Sequence, residues 1–402
     1  MAQLPLGAPA PANGHVPHRT SPDTPMAAYV HVPFCTVRCG YCDFNTYTSA
    51  ELRGVTRQSF IDDLCSEIQF SAGVMTDSQI PVRALSSIFF GGGTPTLLEP
   101  AAFARILDDL RSVHGIETGA EITIEANPDT VTPTVLQDLA SAGVTRVSFG
   151  MQSAVPRVLA LLDRSHDATR MPEVVEAARA AGLSTSVDLI YGTPTETIDE
   201  WMCSVDAALA LGTDHISAYS LIVEEGTAMA RRISRGELPD VDDDTHAEMY
   251  DRADEAFAAA GLEWYEVSNW SVPGKESRHN QAYWRSDDWW GYGPGAHSHI
   301  GGVRWWNAKH PAAYAERLAG GESPALGREI LDDDQRHFER ILLQSRVRAG
   351  IDLAELGESG RHEVAGLIAD GLVEGAAAIA GRLVMTRRGR LLADAVVRRI
   401  TD

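Results

Sequence analysis

The chain has 402 residues, 44% of them hydrophobic and 22% charged, with a formal net charge of −22. That length allows two domains, or one large barrel with an appendage, around a sizeable core. The acidic balance argues against nucleic acid as the main ligand, because phosphate binding needs clustered Lys and Arg, and no run of 18 apolar residues marks a membrane span.

Residues 1–25 are rich in Pro and Ala and lack a basic start followed by an apolar run. They do not read as a signal peptide, and a flexible tail is expected there. Short β-like runs then recur, each ending in polar or Gly residues. They are AAYVHVP (27–33), LSSIFFGG (85–92), EITIEANP (121–128), RVSFGMQS (146–153), STSVDLIYG (184–192) and HISAYSLI (215–222). Helix-like segments lie between them, such as SFIDDLCSEIQFSA and MPEVVEAARAAG, the latter capped by Gly182. This alternation predicts βαβ units and a parallel sheet, in an open doubly wound form or a barrel. Glu125, Gln152, Asp188 and Gly91 to Gly93 sit near the C-terminal ends of different strands. A barrel gathers those ends on one face, whereas an open sheet spreads them. The expected fold is therefore α/β, a partial TIM-like (β/α) barrel of about six repeats over residues 26–260.

Past residue 260 the texture changes. Seven of the eight tryptophans lie between Trp264 and Trp306, beside Gly291, Gly293 and Gly295. Residues 261–327 read as an aromatic and Gly-rich extension of the core. Residues 328–402 read as two short helices, a hairpin-like turn and a last helix, a small winged-helix-like module. Such modules often bind DNA, but packing or partner contact is the simpler account of this one.

Five cysteines in a long chain fit reduced thiols in a cytosol. Cys65 and Cys203 lie in helix-like segments and are expected to be buried small apolar residues. The other three, Cys35, Cys39 and Cys42, fall in YVHVPFCTVRCGYCDFN (29–45) with spacing C-x3-C-x2-C. A structural zinc site would need a fourth ligand, for which His31 is available but badly placed. A catalytic thiol pair would need only two cysteines and a base. An iron–sulfur cluster fits best, because three thiolates leave one corner of a four-iron cluster open.

These residues resemble the loop of the radical S-adenosylmethionine (SAM) proteins, in which an aromatic residue, here Tyr41, precedes the last cysteine. The resemblance implies a [4Fe-4S] cluster whose open iron is chelated by SAM, and reductive cleavage of SAM to methionine and a 5′-deoxyadenosyl radical. It also implies SAM contacts from Tyr29, from Gly92, Gly93 and Thr94 in GGGTPT, and from Glu125, Gln152, Arg164 and Asp188. Any one of these alone could be a surface or capping residue. YVHVPFC, FFGGGTPT, EANP, RVSFGMQS and the C-terminal module are similar to the oxygen-independent coproporphyrinogen III oxidase group. The true oxidases carry a further cysteine two residues after the third, where this chain has Phe44, and an N-terminal segment that helps close the active site, where only the Pro/Ala-rich tail is read here. Both departures match the sister family, the heme chaperone HemW family, as does HNQAYW (279–284).

Membership of that family implies a heme chaperone that binds heme, with His279 as the linked residue, and delivers it to an acceptor protein, possibly a respiratory one. Tyr283, Trp284, Trp289 and Trp290 would then supply flat apolar contact, and His297 and His299 are secondary candidates. It further implies a ferredoxin- or flavodoxin-type electron donor and leaves a homodimer open. Cytoplasmic residence is the default. The alternative is an oxidase that decarboxylates porphyrin propionates.

Overall fold

The computed structural model describes residues 7–164, 167–240 and 242–401. Six strands fall where the apolar runs place them: β2 (Met26–Val32), β3 (Leu85–Gly92), β4 (Ile116–Ala126), β5 (Arg146–Gln152), β6 (Ser184–Tyr191) and β7 (His215–Ser220). They follow β1 (Ala8–Pro9) and pair in parallel, each with the next in sequence. Helices α1 (Arg57–Ser78), α2 (Pro100–Val113), α3 (Pro133–Ala142), α4 (Pro156–Leu161), α5 (Met171–Ala180) and α6 (Ile198–Ala210) fill the crossovers. Their starts are written in the sequence. Thr56 caps α1, Thr132 caps α3 and Thr197 caps α6 through the side-chain oxygen, and Pro opens α2, α3 and α4. Gly182, just past α5, takes a left-handed φ of 81°.

Alternation along the strands sorts the two faces of the sheet. Val30, Ile88, Phe90, Ile124, Val147, Phe149, Val187, Leu189 and Ile216 are buried in the main core with Phe60, Leu64, Phe103, Ile106 and Trp201 of the helices. The opposite face is polar: Thr123, Glu125, Arg146, Ser148, Ser186, Asp188, His215, Ser217 and Tyr219 all line one cavity. The sheet therefore curves around a shared lumen.

After β7 come α7 (Ala228–Ser234), α8 (Asp243–Ala259), β8 (Glu263–Glu266), β9 (Asn269–Ser271) and α9 (Arg278–Trp284). Then follow β10 (Asp288–Tyr292), β11 (His297–Ile300), β12 (Val303–Asn307), α10 (Pro311–Ala319) and β13 (Ala325–Ile330). The sheet order is β1-β13-β12-β11-β10-β2-β3-β4-β5-β6-β7-β9-β8. It adds a seventh parallel strand, β10 beside β2, which sequence order does not suggest. Its edges, β1 and β8, are not paired with each other, so the barrel is partial.

The N-terminal segment is a correction. Its described part, from residue 7, is not a flexible tail: β1 pairs antiparallel with β13, and Val16 is 4% exposed. Arg83 Nη1 donates to Thr20 Oγ1 at 3.0 Å, to the Thr24 carbonyl at 2.9 Å and to Asp288 Oδ2 at 2.7 Å. Composition cannot foresee this, because the partners are distant in the chain: Arg83 lies about 60 residues on, and β13 more than 300.

The last module contains α11 (Asp333–Gln344), β14 (Ile351–Asp352), α12 (Glu358–Ala369), α13 (Gly375–Ile379), β15 (Arg382–Leu383), α14 (Arg387–Leu391) and α15 (Ala393–Thr401). It has its own core, which includes Ile341, Ile351, Leu367, Leu383, Val396 and Ile400. Arg390 holds it to the sheet domain, with its guanidinium 4.3 Å above the Trp264 ring and Nη1 3.1 Å from Asp254 Oδ1.

Candidate SAM and cluster site

Residues 33–48 leave the C-terminal end of β2 as a loop whose two legs are tied together. Cys35 N–H donates to the Tyr47 carbonyl at 3.1 Å, and Tyr47 N–H donates to that of Pro33 at 2.7 Å. All three cysteines are free and half-buried, and all line the lumen, a cavity of about 520 Å³. Burial pushes the Cys42 thiol up to about 11 and also raises that of Cys35. Arg164 reaches in with Nη1 3.6 Å from Cys39 Sγ, while Nη2 donates to the Gly150 carbonyl at 3.1 Å. Its Nε is buried and has no hydrogen-bond partner among the described residues.

His31 is not a fourth ligand. Its Nδ1 lies 3.0 Å from Tyr29 OH and its Nε2 2.9 Å from the Asn45 carbonyl. Among the described residues, no three His, Cys, Asp or Glu side chains converge as they would on one ion. A cuboidal cluster takes its thiolates at separate corners, which suits three thiols spread around one loop.

The glycine run serves the loop as much as a ligand. A Cβ on Gly93 would lie 2.4 Å from the Phe34 carbonyl oxygen and 3.1 Å from Cys35 Sγ, and one on Gly92 would lie 2.5 Å from the His31 ring. The N–H groups are spent: Gly93 donates to Val32 at 2.8 Å, Thr94 to Phe34 at 2.7 Å, and Gly92 to Glu125 Oε2 at 3.1 Å. Carbonyls and the Thr94 hydroxyl are what this strand end offers to a cofactor ammonium.

Across the lumen, burial and the nearby Asp188 push Glu125 up to about 8. Burial also raises Asp188, although Ser148 Oγ donates to both its carboxyl oxygens at 3.0 Å. Gln152 lines the same wall at a bulge, with a left-handed φ of 62° that is strained for a non-glycine residue. Tyr41 lines the cavity beside Cys39. Tyr29 is the exception. It is half-buried under Gly91, stacked on Phe89 and bonded to His31, and it does not line the cavity.

His279 is 1% exposed, at the start of α9 and stacked on Phe89 with centroids 5.2 Å apart. Nδ1 lies 3.0 Å from Ser87 Oγ and Nε2 2.9 Å from Tyr283 OH, so both ring nitrogens are taken. Burial pulls its pKa down to about 3, which keeps the imidazole neutral. Trp290 packs in the main core with Trp305, at a centroid distance of 5.1 Å. Trp289 lies against His299 in a tilted pair at 5.0 Å, and His297 is exposed at the start of β11. These rings are core and sheet packing in this conformation, not an open porphyrin face. Cys65 is buried as expected, whereas Cys203 is exposed on α6.

The sequence reading missed part of the cavity. Phe89, Arg146, Ser148, Ser217, Tyr219 and Ile222 also line it, and Phe44, Ile222 and Val37 are 60%, 71% and 60% exposed at its mouth. The signal was present in the polar residue at every second position of β4 to β7.

Fold, open three-thiol loop and glycine-braced lumen define a radical SAM-type protein. Residues 29–207 match the model of the radical SAM superfamily. The chain is 48% identical to the heme chaperone HemW of Mycobacterium tuberculosis over 94% of its length and 95% of that protein. It is 34% identical to that of Synechocystis over 86% and 84% of the two chains. The coproporphyrinogen III oxidase of Escherichia coli, a radical SAM enzyme, has the same fold at a TM-score of 0.78 and 24% identity, over 94% of this chain and 91% of that one. The chain belongs to the HemW family of the radical SAM superfamily.

Proposed function

We propose that the chain is a heme chaperone that carries a SAM-liganded [4Fe-4S] cluster and hands heme to an acceptor protein. The observation that carries this reading is the 48% identity to a heme chaperone over nearly the whole of both chains. Cys35, Cys39 and Cys42 would hold the cluster, which supplies a single electron to SAM when both are bound. The carbonyls of Gly92 to Thr94 suit the SAM ammonium, and Arg164 suits its carboxylate. Glu125 and Asp188, with burial raising both, suit the hydroxyls of its ribose. Gln152 and Tyr41 line the remaining wall. A ferredoxin- or flavodoxin-type donor, a homodimer and a cytoplasmic location belong to the same reading. No described helix is long and apolar enough to cross a membrane.

In this reading His279 meets heme iron only after α9 has lifted from Ser87, because both ring nitrogens are occupied in the closed state. Heme titration of anaerobically reconstituted protein, followed in the Soret band, tests it. Saturation near one heme per chain is expected, with a rate that levels off as heme concentration rises and affinity at least tenfold weaker in His279→Ala. Unsaturable binding, or binding indifferent to His279, would overturn it. Protoporphyrinogen formed from coproporphyrinogen III with SAM and reductant would establish the oxidase instead.

A further inference from the structure

The segment after the third cysteine is held by contacts that no motif explains. Asn45, three residues beyond Cys42, donates from Nδ2 to the Pro294 carbonyl at 3.0 Å and to the Lys309 carbonyl at 2.7 Å. Its Oδ1 accepts from Tyr47 OH at 3.1 Å, and its own carbonyl bonds the His31 ring. The turn it grips leaves no room for side chains. A Cβ on Gly293 would lie 2.5 Å from the His31 carbonyl oxygen, and one on Gly295 would lie 2.5 Å from Asn45 Nδ2. Both glycines have left-handed φ, 97° and 75°.

That turn is itself fixed by Glu67 of α1, a carboxyl 2% exposed. Oε2 accepts from Gly293 N–H at 2.7 Å and from Tyr314 OH at 2.6 Å. Oε1 accepts from Asn307 Nδ2 at 2.7 Å, and Asn307 also donates to the Gly293 carbonyl at 2.9 Å. Both polar groups of residue 293 are thus pinned from one buried acid. A carboxyl so deep carries a desolvation cost that its three donors offset. All three come from the aromatic extension that walls the cysteine loop.

We propose that Asn45 clamps the cysteine loop and that Glu67 is a positioning residue acting through the 293–295 turn. Because Tyr47 bonds both Asn45 and the Cys35 backbone, the clamp sets both legs of the loop. The aromatic extension thereby decides how the three thiols face Gly93 and Arg164. The relevance to a cluster rests on the function proposed above, while the clamp itself is a property of the chain.

The test uses the full chain in two arms. In the metal-free protein, alkylation of each cysteine by N-ethylmaleimide is followed by peptide mass mapping, with Cys203 as internal reference. Asn45→Ala is expected to speed alkylation of Cys35, Cys39 and Cys42 by roughly tenfold or more, the factor expected from losing its three side-chain hydrogen bonds, with Cys203 unchanged. Glu67→Gln is expected to move the same three thiols in the same direction. The double variant should be no faster than Asn45→Ala alone, because the two act in series. Glu266→Gln, another buried carboxyl, should leave all three rates alone. Equal rates in Asn45→Ala and wild type, or additive effects in the double variant, would overturn the clamp. In the second arm the reconstituted variants are compared for iron and sulfide content and for the change in the reduced-cluster EPR signal on adding SAM. Loss of that change in Asn45→Ala, with iron retained, is expected. An unchanged EPR response beside faster alkylation would overturn the link to SAM. Wild type that takes up no iron and sulfide would defeat the cluster reading, and the alkylation arm would still judge the clamp.

Discussion

Gly93 shows most directly what a single position asks of this chain. Its neighbours are backbone, 2.4 Å from a would-be Cβ and unable to swing aside, and the Cys35 thiol at 3.1 Å. Gly93→Ala is expected to cost about 1 to 3 kcal/mol of stability, as overpacking does, and to displace Cys35. Thermal unfolding checks the first, and iron per chain after reconstitution checks the second; full iron uptake would contradict the account. The GGGTPT run was legible in the sequence as a place of close approach. What it approaches was not, since the loop carbonyls that take its N–H groups become neighbours only when β2 and β3 pair. His279 carries the same lesson in reverse. Its motif stands out, but its burial against Ser87 and Phe89 follows from how α9 packs against β3.

At the scale of elements, period-two alternation was enough to place six strands, because each buries one face on helices and turns the other to the lumen. The seventh parallel strand, β10, was not legible. It enters beside β2 from a distant part of the chain, and no local pattern encodes a partner. The N-terminal strap is held the same way. Its anchor is the Arg83–Asp288 pair, with side chains 7% and 2% exposed. Removing one member of such a pair strands the other charge, so Arg83→Ala is expected to cost about 3 to 5 kcal/mol. Chemical denaturation measures it, and a loss below about 1 kcal/mol would mean that the strap is not anchored there. At the other end, Arg390→Ala removes the contact to Trp264 and Asp254. It is expected to speed proteolysis between residues 331 and 350 several-fold while the Tm of the sheet domain stays unchanged. Cleavage at the wild-type rate would assign the docking to the remaining ion pairs, such as Arg387 with Glu255 at 2.9 Å.

The molecule as a whole sums opposed titrations. Burial pushes Glu67 and Glu196 up to about 7, and Glu125 and Glu266 up to about 8, from an ordinary 4.5. An acid raised on folding stabilises fully below its unfolded pKa, and that stability is lost as pH climbs through the folded value. Burial pulls His31 and His114 down to about 4, and His279 to about 3, from 6.5. Those bases oppose folding at low pH, and stability recovers as pH rises toward 6.5. Above that only the acids act. The ligand-free protein is therefore expected to lose stability between about pH 6.5 and 8. Melting curves at fixed ionic strength check this. A Tm that holds or rises across that window would refute it, and Glu125→Gln should shallow the slope.

Some of this protein was determined by sequence alone: the βαβ repeat, the polar strand ends and the three-thiol loop. Each depends on a local period or on fixed spacing, and survives whatever the rest of the chain does. Only tertiary structure decided which groups remain free to act. It consumed the N–H groups of Gly93 and Thr94, closed both nitrogens of His279, left the Nε of Arg164 without a partner among the described residues and set Asn45 against Pro294. The physical reason is that hydrogen-bond donors and acceptors are spent on neighbours in space, and those neighbours lie in places more than 300 residues apart in the chain.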